Sequence, residues 1–248
     1  FLDKIAKEKL EPFIENSYKA LAKVTNAYEQ KMVMSREVIA DKGIWTAKKR
    51  YILNVHDSEG VRYNEPKLKI MGIEAVKSST PKVCRNKIKE ALKIIINEDS
   101  DVLNTFIQDF REEFMRLDPE EIAYPRSVNG LDKFSSSNGM FAKGAPIHCK
   151  GAILYNHLLK QKKLTNKYPL IQEGDKIKFV HLRQPNVYTS SAFSFITFFP
   201  KELDLKDRID YDTQFTKSFV EPLKFISEKI GWWIDDSYGT QGTLDGFF

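Results

Sequence analysis

The chain contains 248 residues, of which 42% are hydrophobic and 12% aromatic, a composition typical of a soluble globular protein with one large domain or two small ones. Its net charge of +5 is unevenly distributed, because residues 82–93 and 160–178 are mostly basic and residues 98–121 mostly acidic, which favours one anion-facing side. Two cysteines exclude a disulfide framework and a Cys-rich zinc site, and no apolar run approaches the roughly 20 residues of a membrane span, so we expect a soluble protein in a reducing compartment.

The first 72 residues predict a helix beside a small antiparallel sheet. Helical spacing of apolar residues extends from residue 2 to about residue 29, and we expect Pro12 to kink this helix or to begin a second segment. Residues 32–34 and 51–55 are rich in β-formers, and residues 41–43 predict a turn between strands. The residues that recur at this spacing, with lysines and glutamates between them, indicate one amphipathic helix and are Leu10, Phe13, Ile14, Ser17, Leu21, Val24 and Tyr28.

After Gly72 the pattern becomes mostly helical. Ser79 and Thr80 precede Pro81, which predicts a hydroxyl cap followed by proline at the first position of a helix that ends near Asn97. A second helix is expected over residues 101–117, an irregular connection over 118–144, a helix over 146–160, strands over 176–182 and 193–199, and a last long helix over 215–230.

A basic stretch occupies residues 45–81. Lys48, Lys49 and Arg50 lie at the start of an apolar strand, a turn is predicted at residues 58–60, and the next strand carries Lys67 and Lys69. Spacing alone leaves two interpretations open, namely a solvated amphipathic hairpin and a surface on which two basic strands face one anionic partner.

Two segments of this stretch resemble family B DNA polymerases, in particular the replicative polymerases of T-even-type bacteriophages. These segments are KKRY at residues 48–51 and KLKIMGIEAVKSSTP at residues 67–81. The similarity extends with gaps over essentially the whole chain and is weakest over residues 118–143. It implies an α+β fold in which residues 1–72 form the C-terminal part of a palm, with a long helix and a small antiparallel sheet. Residues 73–240 would then form a mostly helical thumb.

The resemblance also implies a set of residues that bind DNA. The lysine matching Lys48 lies along the nascent duplex, and the lysine matching Lys49 reaches minor-groove acceptors, which every correct base pair presents. Lys150 stands where relatives commonly have arginine, which changes a bidentate phosphate contact into a single one. The implied residues are Lys48, Lys49, Arg50, Tyr51, Lys77, Ser78, Ser79, Thr80, Lys82, His148 and Lys150, with Lys176 and Lys178 as weaker candidates. Ser79 and Thr80 could equally be a plain helix cap.

No catalytic residue is predicted. Nucleotidyl transfer by a polymerase needs two metal ions held by carboxylates, and we interpret both Asp57 with Glu59 and Asp235 with Asp236 as solvated surface. A metal site at His148 and Cys149 is also disfavoured, and none of the family's SLYPS, fingers-helix or DTDS motifs is present. We therefore expect Mg²⁺ to be bound in the complete enzyme by residues outside this chain, and the chain alone to be inactive.

The end of the chain, residues 241–248, resembles a peptide that binds a sliding clamp. Gln241, Leu244, Phe247 and Phe248 match its pattern of glutamine, an aliphatic residue and two aromatics, although an exposed apolar tail is the alternative. The expected partners are primer–template DNA, the sliding clamp and the rest of the polymerase with its palm, fingers and exonuclease, all in the cytoplasm of an infected host cell.

Three kinds of protein remain open at this point. The chain begins with Phe1 rather than methionine, so we expect a fragment or a processed piece of a polymerase. The alternatives are a non-catalytic DNA-binding accessory protein and the C-terminal subunit of a split polymerase.

Overall fold

A computed structural model describes residues 1–135 and 141–234 and divides into two compact units, Phe1–Met71 and a second that begins at Gly72. Each unit combines helices with a three-stranded antiparallel sheet. The predicted α+β class is therefore confirmed. Among the described residues, no helix has the length and apolar character needed to span a membrane.

The first unit opens with one continuous helical stretch. It consists of α1 (Leu2–Ile5), a π-helical turn (Ala6–Leu10) and α2 (Glu11–Val24). Pro12 has no N–H to donate to the carbonyl of Glu8, four residues earlier, and Glu8 lies inside the π turn. The irregularity predicted at Pro12 therefore lies in the turn before it. The stretch ends at Val24, about five residues earlier than predicted, and left-handed Asn26 follows it.

The apolar face of this helix is largely exposed. Leu10, Phe13, Leu21 and Val24 are exposed, and α2 contains no buried residue. The residues of α2 that are half-buried follow a neighbouring face and are Glu11, Ile14, Tyr18 and Ala22. The predicted apolar spacing is therefore present, while most of the apolar residues of this helix are exposed.

The sheet of the first unit contains β1 (Val38–Ala47), β2 (Arg50–Ser58) and β3 (Val61–Met71) in that order. The predicted turn at residues 58–60 is confirmed, with Glu59 and Gly60 at positive φ. The turn predicted at residues 41–43 is wrong, because these residues lie inside β1, where Lys42 and Gly43 pair with Asn54 and Leu53 of β2 and Asp41 lies at a register shift. Strand pairing overrides the local turn propensity of these residues. Gly43 leaves room for the Trp45 ring, because a Cβ at position 43 would lie 2.7 Å from an atom of that ring. Residues 32–34 form no strand.

An ion-pair cluster joins the helix to the sheet within this unit. The Arg36 guanidinium donates from Nη1 to Asp57 Oδ1 at 2.6 Å and from Nη2 to Asp3 Oδ1 at 2.8 Å. Asp57 is buried and also accepts the Gly60 N–H at 3.0 Å. Its interpretation as solvated surface was therefore wrong, because the carboxylate fixes a turn and neutralises a nearly buried arginine.

The second unit begins with a pair of helices, α3 (Lys82–Asn97) and α4 (Ser100–Phe114). Asp99 caps α4 by accepting the N–H groups of Asp101 and Val102. Pro81, rather than a hydroxyl residue, occupies the N-cap of α3, and no side chain caps this helix, so the cap predicted at Ser79 and Thr80 was wrong.

The segment predicted to be irregular, residues 118–144, contains ordered elements. These are α5 (Pro119–Ile122), β4 (Tyr124–Ser127) and α6 (Leu131–Phe134). The Asp118 N–H donates to Glu121 Oε2 at 3.3 Å, as in a capping box. Strand β4 is only four residues long and contains a proline, which is tolerated at the edge of a sheet, so alternation could not reveal it.

A second sheet, in the order β4-β5-β6, includes β5 (Lys176–His181) and β6 (Ala192–Phe195). The predicted helix before them is confirmed as α7 (Ile147–Gln161). The predicted last helix is also present, as α8 (Tyr211–Phe215), a π-helical turn (Thr216–Val220), α9 (Glu221–Ser227) and a short 3₁₀ segment (Glu228–Ile230). Its π turn precedes Pro222, just as the turn in the first unit precedes Pro12.

Helix α7 lies unusually close to β6 at Gly151. A Cβ placed on Gly151 would lie 2.8 Å from the backbone N of Ser194 and 3.0 Å from the carbonyl carbon of Phe193. This approach allows Ser194 Oγ to donate to the His148 carbonyl at 2.9 Å. Glycine at this position therefore allows the short distance between the first turn of α7 and strand β6.

We predict that Gly151→Ala lowers the free energy of unfolding by about 1 to 2 kcal/mol, because overpacking against backbone atoms outweighs the gain in helix propensity. Urea denaturation followed by circular dichroism measures this change. Gln161→Ala, at an exposed position of the same helix, should change stability by less than about 0.5 kcal/mol. Equal stabilities for the two variants would show that the close approach is not a constraint.

Candidate nucleic-acid interface

Lys48 and Lys49 form the turn between β1 and β2, at the tip of a hairpin, and not the start of a strand. Both side chains are exposed, and Lys49 has a positive φ of 62°. Within residues 1–135 and 141–234, no carboxylate forms an ion pair with either lysine. The tip therefore presents two cations that internal contacts do not neutralise.

The rest of the basic stretch in the first unit is largely engaged. Arg50 and Tyr51 open β2 and are half-buried. Lys69 forms an ion pair with Glu37, and Lys67 Nζ lies 4.2 Å from the centroid of the Tyr63 ring. The two basic strands were expected to face one partner. Among the described residues of this stretch, Lys48 and Lys49 at the hairpin tip are the cations for which no ion pair or ring contact is found.

The segment before α3 carries the next predicted group. Lys77 Nζ pairs with Glu74 Oε1 at 2.7 Å, Ser78 is exposed, and Ser79 is half-buried. Thr80 is buried, so its side chain has little surface to offer a ligand. Lys82 is exposed in the first turn of α3.

Arg126, on β4, connects this segment to the other predicted residues of the second unit. Its Nη1 donates to the Ser79 carbonyl at 2.8 Å and to the Pro125 carbonyl at 2.9 Å. Burial, and in addition the positive charge of Arg126, lowers the pKa of His148, which lies at the start of α7. Arg126 was not predicted, because it lies in the segment predicted to be irregular. Tyr124 is a β-forming residue, but Pro125 interrupts the pattern, so a strand was not indicated there.

A cavity of about 380 Å³ opens beside Arg126. Three cationic side chains from three different elements line it, together with hydroxyl and aromatic groups. The lining residues are Glu74, Lys77, Ser79, Thr80, Tyr124, Arg126, Phe179, His181, Lys217, Ser218 and Pro222. Glu74, the one carboxylate in this lining, is already paired with Lys77, so the cavity carries an excess of positive charge suited to an anion.

The other predicted residues also lie in the second unit. His148 and Lys150 are half-buried in the first turn of α7, and the His148 ring centroid lies 6.3 Å from that of Phe179. Lys178 donates to the Glu120 carbonyl at 3.0 Å, whereas Lys176 is exposed at the start of β5.

The structure contains no candidate metal centre among its described residues, since no three His, Cys, Asp or Glu side chains there could hold an ion. Cys149 Sγ donates to the Asn129 carbonyl at 3.6 Å, and burial raises the pKa of its thiol. The four residues of the expected clamp-binding peptide, Gln241, Leu244, Phe247 and Phe248, lie outside the described residues, as do Asp235 and Asp236.

We predict that Arg126→Gln raises the pKa of His148 in the free chain, because a nearby positive charge opposes protonation of the imidazole. Titration of the imidazole resonances by NMR measures this pKa. Arg116→Gln removes the same charge from an exposed position after α4 and should leave the pKa of His148 unchanged. An unchanged or lowered pKa in Arg126→Gln would show that the two side chains are not coupled.

Comparison with known proteins identifies relatives, although no protein-family model matches the chain. The DNA-directed DNA polymerase of Enterobacteria phage T4 is 33% identical over 260 aligned positions, which cover the whole chain and 28% of that polymerase. The DNA-directed DNA polymerase of Escherichia phage RB69 is 36% identical over 237 positions, which cover 90% of the chain and 26% of that polymerase. The chain thus spans about a quarter of the length of these relatives. The predicted resemblance is confirmed, and the chain is homologous along its length to a part of the DNA-directed DNA polymerases of these bacteriophages.

Proposed function

We propose that this chain is the part of a phage replicative DNA polymerase that grips primer–template duplex. Its first unit is the end of the palm and its second unit is the thumb. The observation that carries the proposal is the exposed pair Lys48 and Lys49, without an ion pair among the described residues, at the tip of the β1–β2 hairpin in a chain homologous to phage polymerases.

The chemistry of both units suits a ligand that is anionic and variable in sequence. Phosphate contacts from lysine and arginine supply affinity without sequence preference, which an enzyme needs if it must hold any product it has made. Lys49 projects from a turn, so it can reach between the backbones of a duplex to minor-groove acceptors. Lys77 and Ser79 in the second unit would contact primer phosphates, with Arg126 holding the Ser79 backbone in place.

The remaining predicted residues have supporting roles in this proposal. Tyr51 packs near the primer terminus beside Arg50, while Ser78, Lys82, His148 and Lys150 follow the duplex backbone. Since Thr80 is buried, its contribution is to hold the segment before α3, and any ligand contact there would come from its backbone.

Nucleotidyl transfer belongs, on this proposal, to the rest of the polymerase. Asp57, the buried carboxylate of the hairpin, forms an ion pair with Arg36. Among the described residues, no cluster of carboxylates fits a pair of metal ions. Mg²⁺ is therefore assigned to residues of the complete enzyme outside this chain, and no chemical step is assigned to the residues described here.

We predict that the chain binds duplex DNA without sequence preference and with a steep dependence on salt. Lys77→Ala should reduce the magnitude of the slope of log affinity against log salt by about 0.9, because one phosphate contact is lost. Lys49→Ala should weaken binding with less change in slope, because its contact is in the minor groove. Fluorescence anisotropy with a labelled primer–template, repeated over a range of salt concentrations, measures both quantities.

Lys160→Ala is the matched control. Lys160 is exposed near the far end of α7, roughly 18 Å along the helix axis from His148, so its loss should change neither affinity nor slope. If Lys49→Ala and Lys77→Ala also bind like the unmodified chain, these residues are not the duplex grip and the proposal fails.

We also propose that residues 241–248 bind the sliding clamp of the same phage. This part of the proposal rests on the sequence pattern. Burial of two phenylalanine rings in a preformed pocket should contribute roughly 3 to 6 kcal/mol before the cost of ordering the tail. Because the clamp and the polymerase hold the same DNA, even a modest affinity suffices for tethering.

The tail is tested by changing Phe247 and Phe248 to Ala and titrating the clamp calorimetrically against the chain. We expect clamp binding to be lost, with duplex binding and thermal stability retained. Asp245→Asn, in the same segment but outside the pattern, should bind the clamp normally. Undiminished binding by the double variant, or a large loss of thermal stability, would show that the two rings have a different role.

A further inference from the structure

A groove of about 850 Å³ lies in the second unit, apart from the candidate nucleic-acid interface. It is lined by the start of α5, by Tyr168 in the segment after α7, and by residues between 198 and 207, which follow β6. None of the described residues that line it belongs to the cavity beside Arg126 or to the predicted DNA-binding set. The predicted contacts with duplex therefore leave this groove without a role.

The groove presents an exposed aromatic side chain. Phe198, which lines it, is 69% exposed. The next residue, Phe199, is buried, and its ring centroid lies 5.4 Å from those of Phe193 and Phe195. Phe199 is thus fixed in the core, while Phe198 faces solvent in the groove. A large aromatic side chain on a concave surface is typical of protein–protein contacts, in which such residues supply much of the binding energy.

The charged residues of the groove are mostly acidic. Lys201 and Lys206 are its cations, and Lys206 Nζ already pairs with Asp118 Oδ1 at 2.8 Å. Among the described residues, no cation pairs with Asp204 or Asp207, and both are exposed. The carboxylates of the lining are Asp118, Glu120, Glu121, Asp204 and Asp207. The groove therefore carries an excess of negative charge in a chain whose net charge is +5.

Internal hydrogen bonds hold the walls of the groove together. Tyr168 Oη donates to Glu202 Oε2 at 2.8 Å, which joins the segment after α7 to the 3₁₀ turn Lys201–Leu203. The Phe199 N–H donates to Glu120 Oε1 at 2.8 Å, which joins the segment after β6 to α5. A surface held in this way needs little ordering when a partner binds, so less of the interaction energy is lost.

Charge complementarity distinguishes between the possible occupants. Duplex DNA is a polyanion, so the excess negative charge of the groove repels it. A protein segment that combines lysine or arginine with an apolar side chain fits both features of the groove. Its cations would face Asp204 and Asp207, and its apolar side chain would pack on the Phe198 ring.

We propose that this groove is a docking site for another protein, which inserts a short basic segment that also carries an aromatic or aliphatic residue. The acidic residues select the partner by charge, and Phe198 anchors it. This inference goes beyond the proposed function and does not depend on it, because the groove shares no described residue with the surface assigned to duplex.

The first test selects peptides from a random library displayed on filamentous phage, with the chain immobilised as the target. We expect the enriched peptides to combine lysine or arginine with an aromatic or large aliphatic residue. Synthetic copies of these peptides should bind the chain in fluorescence anisotropy, with an affinity that falls as salt is raised. Enrichment of acidic peptides, or no enrichment, would overturn the proposal.

The second test locates the peptide on the chain. Phe198→Ala, and separately Asp204→Asn with Asp207→Asn, should each weaken binding of the selected peptide at least about tenfold, because each removes the anchor or the complementary charge. Glu90→Gln with Glu228→Gln removes two exposed carboxylates outside the groove and should leave peptide affinity unchanged. Thermal melting shows that each variant is folded. Peptide affinity that is the same for all three variants would contradict the proposal.

Two further results would assign the groove to a different occupant and overturn the proposal. Dimerisation of the chain in light scattering, if Phe198→Ala abolished it, would assign the groove to a second copy. Weaker duplex binding by Phe198→Ala would assign it to the DNA grip. We expect Phe198→Ala to bind duplex like the unmodified chain, so failure of this proposal is distinguishable from failure of the proposed function.

Discussion

The arrangement of the second unit depends on one buried side chain, Gln214. Its amide Nε2 donates to the Ile122 carbonyl at 2.6 Å, and its Oε1 accepts the His181 N–H at 3.1 Å and lies 2.8 Å from His181 Nδ1. Leaving a buried polar group without a hydrogen bond costs about 1 to 3 kcal/mol. Because the bonds of Gln214 link α5, β5 and α8, this cost stabilises the observed arrangement of the three elements. Burial lowers the pKa of His181, which favours the neutral ring, and a proton on its Nδ1 can be donated to Gln214 Oε1.

From that junction the position of the candidate interface follows. Strand β4 begins two residues after Ile122, so the junction sets where β4 pairs with β5 and where Arg126 points. Arg126 in turn holds the Ser79 carbonyl and lies near enough to His148 to influence its protonation. The cations around the cavity therefore come from distant parts of the sequence, and packing, rather than sequence proximity, concentrates the positive charge that an anionic ligand requires.

Proline has the same effect in both units. Pro12 and Pro222 each follow a π-helical turn by two residues, and each lacks the N–H that the carbonyl four residues earlier would accept. Widening the preceding turn preserves a continuous helix where a sharp break would otherwise occur. The position of each proline thus determines where the helix is irregular, and the helix continues on both sides of the widened turn.

The sequence by itself determined the α+β class, the hairpin turn at Gly60, α3, α4, α7 and the last helix, since each has a full apolar period or a strong turn signal. The homology to phage polymerases, too, was visible in two short segments. Tertiary structure alone decided that residues 41–43 lie within β1, that Asp57 neutralises Arg36, and that β4 exists, because each depends on a partner far away in the chain. It also decided which apolar face of α2 is covered, since periodicity reports the character of a face, whereas burial depends on what packs against it.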